Sequence, residues 1–77
     1  MDQAPVEVTI HNSNSPINLD QFLKLTGAAA SGGEAHFYVT SGMVTINGRP
    51  ALSKRQKLFP GDTVGVSGKG AWRIAAS

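Results

Sequence analysis

Hydrophobic and polar residues alternate in three parts of the chain, one near its beginning and two in its second half. Near the beginning, Val6, Val8 and Ile10 are separated by polar side chains. A period of two residues is typical of a strand with one buried face. The same alternation predicts two later strands. The three predicted strands are residues 5–10, 63–66 and about 71–75.

A first helix is predicted to begin near Asn18 and to stop near Gly27. Asn is a favourable N-cap residue, and Gln21 follows three residues later, as in a capping box. Apolar residues then recur at spacings of three and four, which places them on one helical face. Those residues are Leu19, Phe22 and Leu23.

A second helix is predicted from Ser31 to about Ser41. Ser31 and Glu34 have the spacing of a capping box, and Gly42 suits the position after the last turn. His36 lies away from the predicted buried face. That face consists of Ala35, Tyr38 and Val39.

The dipeptide Asn47-Gly48 predicts a hairpin between residues 43–46 and 49–52, since it favours the two-residue turns that join antiparallel strands. Pro50 cannot donate a backbone hydrogen bond, so the returning arm is expected to be short or at an edge. Pro60-Gly61-Asp62 predicts a second turn.

Together these elements predict one α+β domain over residues 1–77, with two short helices packed on a small, largely antiparallel sheet. Phe59 and Trp72 are expected in the core on periodicity. The other core candidates are Val8, Ile10, Leu19, Phe22, Leu23, Val39, Val44, Ile46, Leu58, Val64, Val66 and Ile74.

Composition narrows the classes of function. The 77 residues include no cysteine, which excludes disulfides, thiolate zinc sites and iron–sulfur clusters. A small domain without disulfides favours a reducing compartment, so we expect a cytoplasmic protein.

No apolar run approaches the ~20 residues that span a membrane, and no membrane partner is expected. A monomer is expected because no long apolar stripe remains for a second chain once the core residues are assigned.

Positive charge is concentrated in one segment. The net charge is only +2, yet Arg49, Lys54, Arg55 and Lys57 fall within nine residues. No acidic residue lies between Glu34 and Asp62. Such a cluster indicates a polyanionic partner or, equally, a basic solvated loop. It contains no aromatic residue, which favours recognition of folded RNA by shape and phosphate over stacking on unpaired bases.

Residues suited to catalysis do not form a recognisable pattern. His11 and His36 lack metal-ligand spacing. Ser31, His36 and Asp20 include the residue types of a triad, but Ser31 is explained as a helix cap and no oxyanion loop is evident. Phe37 and Tyr38 are candidates for stacking as well as for core packing. We expect no enzyme activity, no metal and no cofactor.

The order of these motifs resembles the small RNA-binding domain named after the fourth protein of the ribosomal small subunit, which we call the S-four type. The resemblance covers about fifty residues, from Asn18 to Val66. The Lys-Arg-x-Lys run looks most like the short, stand-alone bacterial YbcJ-type subfamily. The matching motifs are Leu19-Asp20, Ser31-Gly32-Gly33-Glu34-Ala35, Gly42 to Gly48 and Pro60-Gly61-Asp62.

The resemblance implies an alpha-L motif, over residues 18–66, in which two helices and the adjoining hairpin loop bind structured RNA, ribosomal or similar to transfer RNA. Basic residues that the family often carries on the helices are replaced here, so most fixed positive charge lies on the hairpin side. Carried over by position, the expected RNA-binding residues are Asn18, Ser31, Gly32, Gly33, His36, Arg49, Lys54, Arg55 and Lys57.

Two alternatives remain from other classes. The hairpin, turn and closing strand also resemble a ubiquitin-like sulfur carrier, but such carriers end in Gly-Gly, whereas this sequence ends Ile74-Ala75-Ala76-Ser77. The other alternative is a protein-interaction module whose basic segment binds an acidic partner. Binding data separate that module from an RNA-binding one.

Overall fold

The computed structural model describes residues 5–10 and 17–76, and His11 lies outside these ranges. Within these ranges no helix is long and apolar enough to cross a bilayer. In chain order, the elements are β1 (Val6–Ile10), β2 (Ile17–Asn18), α1 (Leu19–Leu25), α2 (Gly32–Thr40), β3 (Val44–Ile46), β4 (Arg49–Pro50), β5 (Lys57–Leu58), β6 (Thr63–Val66) and β7 (Gly70–Ala76).

The strands form a five-stranded sheet and a two-stranded one. The larger sheet has the order β1-β7-β6-β3-β4, and the smaller one pairs β2 with β5. Only β1 and β7 run parallel among the described pairs; the others are antiparallel. The predicted α+β class with a largely antiparallel sheet is confirmed.

Helix α1 begins where its sequence signals predict. Asn18 is the N-cap in an extended conformation, and the Gln21 side-chain oxygen accepts a hydrogen bond from the Asn18 backbone at 3.1 Å. The C-cap is Thr26, and Gly27 follows at φ +82°. That left-handed conformation suits glycine and turns the chain away from the helix axis.

Helix α2 is capped by a variant of the predicted box. The Ser31 hydroxyl accepts a hydrogen bond from the Glu34 backbone at 3.1 Å. The Glu34 carboxylate reaches one residue further back than expected and accepts from the Ala30 backbone at 2.8 Å. These two hydrogen bonds satisfy backbone N–H groups at the start of α2. They offset the low helix propensity of the two glycines in its first turn.

The hairpin turn is confirmed. Asn47 and Gly48 have φ values of 54° and 83°, the positive pair that a type I′ turn requires. The returning strand β4 is exposed and is only two residues long, so it ends before the predicted residue 52. It lies at the sheet edge, which agrees with the missing donor of Pro50.

The core lies between the two helices and the larger sheet. Val8 and Trp72 pack against it while remaining partly exposed, and nothing is described of the Ile10 side chain. The prediction for Phe59 was wrong, since that side chain is 53% exposed. The buried residues are Leu19, Phe22, Leu23, Ala28, Ala29, Ala35, Tyr38, Val39, Val44, Ile46, Leu58, Val64, Val66 and Ile74.

Candidate nucleic-acid interface

The basic loop, residues 51–56 between β4 and β5, is docked on the first turn of α1. The Leu19 backbone N–H donates to the Gln56 carbonyl at 2.9 Å, and the Asp20 N–H donates to the Lys54 carbonyl at 2.8 Å. The first amides of a helix have no partner within the helix. Because loop carbonyls fill that role, the start of α1 fixes the position of the loop backbone.

Three further hydrogen bonds shape the loop itself. The Gln56 N–H donates to the Ser53 carbonyl at 3.1 Å, and the Arg55 N–H donates to the Ser53 hydroxyl at 3.0 Å. The Gln56 side-chain oxygen accepts from the Leu52 N–H at 3.0 Å. Lys54 and Arg55 therefore stand at the tip of a hydrogen-bonded turn, whose backbone is ordered before any ligand arrives.

One face of the basic loop borders α2. His36, Val39 and Thr40 of the helix form one wall of an open groove of about 280 Å³, which we call the helix groove. The other wall is residues 52–55 of the loop. His36 and Arg55 are exposed, and Lys54 is partly buried. The fold thus brings three of the predicted site residues, far apart in sequence, around one depression.

The other face of the loop borders the hairpin. Arg49 of β4 and Lys57 of β5 line a second open groove, of about 830 Å³, which we call the hairpin groove. Phe59 contributes to the same groove. Leu52 belongs to both grooves and is 88% exposed, so it forms the ridge between them.

Asn18 and Lys57 are neighbours across the small sheet. They are register partners in the β2–β5 pair, which places the N-cap of α1 beside a cation of the hairpin groove. The Asn18 side chain is partly buried, whereas Lys57 is exposed.

The start of α2 lines neither groove. The Ser31 hydroxyl is occupied as a helix cap. A Cβ added at Gly32 would meet no atom within 4 Å, and one added at Gly33 would meet only the Ser31 hydroxyl, at 3.9 Å. The two glycines therefore leave an open approach to the helix end, but the structure does not join it to the basic loop.

Few negative charges accompany these cations in the described residues. Asp62 lies in the hairpin groove, where both carboxylate oxygens accept hydrogen bonds, one from the Asn47 side chain and one from the Phe59 backbone. No group of three metal-ligating side chains occurs within residues 5–10 and 17–76. The arrangement is suited to binding an extended anion.

The remaining cations lie elsewhere in the fold. Lys24 is in the last turn of α1, Lys69 follows β6, and Arg73 is in β7. None of them lines either groove. The four cations of residues 49–57 therefore form a distinct group in space as well as in sequence.

The sequence of this chain matches those of known proteins. A family model described as "S4 domain" matches residues 8–74. The chain belongs to the S4 domain family. The S-four resemblance inferred from sequence is thereby confirmed, and with it membership of an RNA-binding family. A relative from Bacillus subtilis (strain 168), named "Probable ribosome maturation protein RlbA", is 36% identical over 58 residues, covering 75% of this chain and 82% of the relative.

Two residues of the surface, Leu52 and Phe59, were not predicted as site residues. Both are apolar, and sequence patterns assign apolar residues to the core by default. A signal was present for Phe59: it follows Leu58, and successive residues of a strand point to opposite faces. If Leu58 is buried, as it is at 1% exposure, its neighbour in an extended segment faces outwards.

Proposed function

We propose that this protein is a non-catalytic RNA-binding module that recognises structured RNA, ribosomal or similar to transfer RNA. The carrying observation is that the basic loop docks on α1 and that cations line a groove on each side of this loop. His36, Lys54 and Arg55 face the helix groove, and Arg49 and Lys57 face the hairpin groove. Asn18 and the start of α2, at Ser31, Gly32 and Gly33, complete the proposed surface.

The arrangement suits a phosphate backbone for electrostatic reasons. Exposed Lys and Arg side chains release counterions from nucleic acid when they neutralise phosphates, which supplies affinity without sequence preference. Arg55 and Arg49 present planar guanidinium groups that can bridge phosphate oxygens, while lysine acts as a point charge. A rigid loop backbone reduces the conformational entropy lost on binding.

The relative with a ribosome maturation name supports a role connected with ribosomes. We propose that this protein binds ribosomal RNA during assembly of the ribosome, as a cytoplasmic monomer. Its contribution is binding alone, in keeping with the absence of a catalytic pattern in the sequence.

The test removes two cations of the basic loop and the adjacent Lys57 together, in what we call the loop variant. We expect the triple variant Lys54→Ala, Arg55→Ala, Lys57→Ala to bind a structured ribosomal RNA hairpin at least about tenfold more weakly at low salt. Its log–log salt slope should be shallower by about 2.7, since each phosphate neutralised on a duplex contributes about 0.9. Fluorescence anisotropy over a range of salt concentrations measures both quantities.

A charge-matched control separates this surface from net charge. The triple variant Lys24→Ala, Lys69→Ala, Arg73→Ala loses the same three charges from positions outside both grooves. It should retain most of the affinity and a slope close to the wild type. Equal losses in the two variants would show non-specific attraction, and unchanged binding in the loop variant would overturn the proposed surface. If the wild-type protein binds no RNA even at low salt, the protein-interaction module with an acidic partner becomes the better hypothesis.

A further inference from the structure

Phe59 is an exposed aromatic residue at the edge of the basic surface. Its side chain is 53% exposed, although Leu58 beside it is 1% exposed. It shares the hairpin groove with Arg49 and Lys57. Phe59 directly follows β5, two residues after Lys57, and both residues line the hairpin groove. Core packing does not explain this aromatic ring.

Two hydrogen bonds to Asp62 hold the backbone of Phe59, one at its N–H and one at its carbonyl. Its N–H donates to the Asp62 carboxylate at 2.9 Å, and its carbonyl accepts from the Asp62 N–H at 3.0 Å. Asp62 is itself fixed, since its other oxygen accepts from the Asn47 side chain at 3.1 Å. An exposed ring on an ordered turn loses little entropy when it contacts a ligand.

An aromatic face that shares one groove with two cations matches the chemistry of a nucleotide. Bases stack on aromatic side chains, while the phosphates on either side attract lysine and arginine. Within a duplex, each base is already stacked on its neighbours and its face is not available. The groove therefore fits a nucleotide that the RNA leaves unpaired, as in a bulge or a loop.

We infer that the hairpin groove holds one unpaired nucleobase of the bound RNA, stacked on Phe59, with the adjoining phosphates at Arg49 and Lys57. This inference rests on the proposed RNA-binding function and narrows the substrate class. The preferred RNA is a helical segment that carries a bulged or looped-out nucleotide. The helix groove contacts the phosphates of the paired part.

The test compares two RNA hairpins that share the same compact loop, whose bases stack on one another and leave no free face, and that differ only by one unpaired nucleotide in the stem. Wild-type protein should bind the bulged hairpin about tenfold more tightly than the fully paired one, within the range measured for stacking one base on an aromatic residue. Phe59→Leu keeps an apolar side chain but removes the aromatic face, and it should reduce this preference to less than about twofold. Phe59→Trp should retain it.

A second exposed phenylalanine provides the control. Phe37 is 59% exposed on α2 but does not line the hairpin groove. Phe37→Leu should therefore keep the preference for the bulged hairpin. Thermal unfolding of each variant checks that its fold is unchanged, and Phe59→Trp keeps the test decisive if Phe59→Leu is unstable.

The outcomes distinguish this inference from the proposed function. If wild-type protein binds both hairpins equally, or if Phe59→Leu keeps the preference, base stacking is wrong while RNA binding stands. If Phe59→Leu weakens both hairpins equally, Phe59 acts on the whole surface and the stacking site is also wrong. If wild-type protein binds neither hairpin at low salt, the proposed function itself fails.

Discussion

At the scale of single residues, Asn47 connects two turns that are distant in sequence. Its side chain donates to Asp62 at 3.1 Å and accepts from the Thr63 N–H at 3.0 Å. Its backbone is left-handed, at φ 54°. Asparagine tolerates that conformation better than other residues with a Cβ. One residue thus forms the tip of the β3–β4 hairpin and also holds the turn that presents Phe59.

Asn47→Ala should lower the free energy of unfolding by about 1–3 kcal/mol, because it removes two hydrogen bonds and places alanine in a left-handed conformation. Asn47→Gly removes the same hydrogen bonds without backbone strain, so its loss should be smaller. Urea unfolding followed by the fluorescence of Trp72, the single tryptophan, measures both. Two variants as stable as the wild type would contradict this role.

The residue scale also shows where prediction from sequence succeeded and where it failed. Leu58 was correctly assigned to the core, but Phe59 was wrongly assigned with it. The opposite facing of neighbouring strand residues was the available signal, but the strand that contains Leu58 is only two residues long, so the sequence shows no longer alternation that selects Leu58 over Phe59 for the core. Exposure of the Phe59 side chain depends on the turn that Asp62 holds. Asp62 is itself held by Asn47, which is distant in sequence.

At the scale of elements, α2 depends on its caps. Glycine is about 1 kcal/mol less favourable than alanine inside a helix, and Gly32 and Gly33 occupy the first two helical positions. The hydrogen bonds of Ser31 and Glu34 compensate at the same turn. The start of this helix is also part of the proposed RNA surface.

Ser31 substitutions separate capping from RNA contact. Ser31→Ala should lower the free energy of unfolding by about 1 kcal/mol, whereas Ser31→Asp should keep the stability because aspartate is also a good N-cap. The new negative charge of Ser31→Asp should nevertheless weaken RNA binding several-fold. Thermal unfolding and fluorescence anisotropy provide the two readouts.

Ser67→Asp adds the same charge in the exposed turn after β6 and serves as the matched control. It should affect RNA binding less than Ser31→Asp does. Equal effects of the two substitutions would remove the start of α2 from the proposed surface and leave the basic loop as the site.

Helices and hairpin were predictable because their signals are local. Asn18, Ser31 and the Asn47-Gly48 turn mark boundaries through hydrogen bonds to nearby residues or through their own backbone preferences. The β2–β5 pair and the parallel β1–β7 pair were not predicted, since each joins segments far apart in sequence. Their register follows from how the whole chain packs.

At the scale of the whole molecule, the last described strand, β7, pairs with the first, β1. It lies between β1 and β6 in the larger sheet. Within it, Ile74 is 2% exposed, and its backbone exchanges hydrogen bonds with the turn at Gly61 and Asp62, at 2.8 and 2.9 Å. This strand therefore couples the sheet to the turn beside the hairpin groove.

Ile74→Ala should lower the free energy of unfolding by about 2–5 kcal/mol, since it removes buried methyl groups and leaves a cavity. For a chain of this length the total is on the order of 4–12 kcal/mol, so the loss is a large share. Arg73→Ala, at the exposed neighbouring position, should change it by less than about 0.5 kcal/mol. Urea unfolding followed by circular dichroism tests the pair, and similar losses in both would contradict the packing described.

The candidate surface was predictable in composition but not in shape. Clustering of Arg49, Lys54, Arg55 and Lys57 is visible in the sequence, and it indicated either an anionic partner or a basic solvated loop. Division of these cations between two grooves, with Leu52 as the ridge, required the loop to dock on α1. Backbone carbonyls make that contact, and they leave no signature in the side-chain pattern.

Binding of structured RNA phosphates by the basic loop and its neighbouring cations can be tested directly. The direct measurement is the affinity of the wild-type protein for a structured ribosomal RNA hairpin, by fluorescence anisotropy from low to physiological salt. If the four cations of residues 49–57 each neutralise one phosphate, the association constant should fall along a straight log–log line with a slope of about −3 to −4. No binding at low salt, or a slope near zero, would contradict the account.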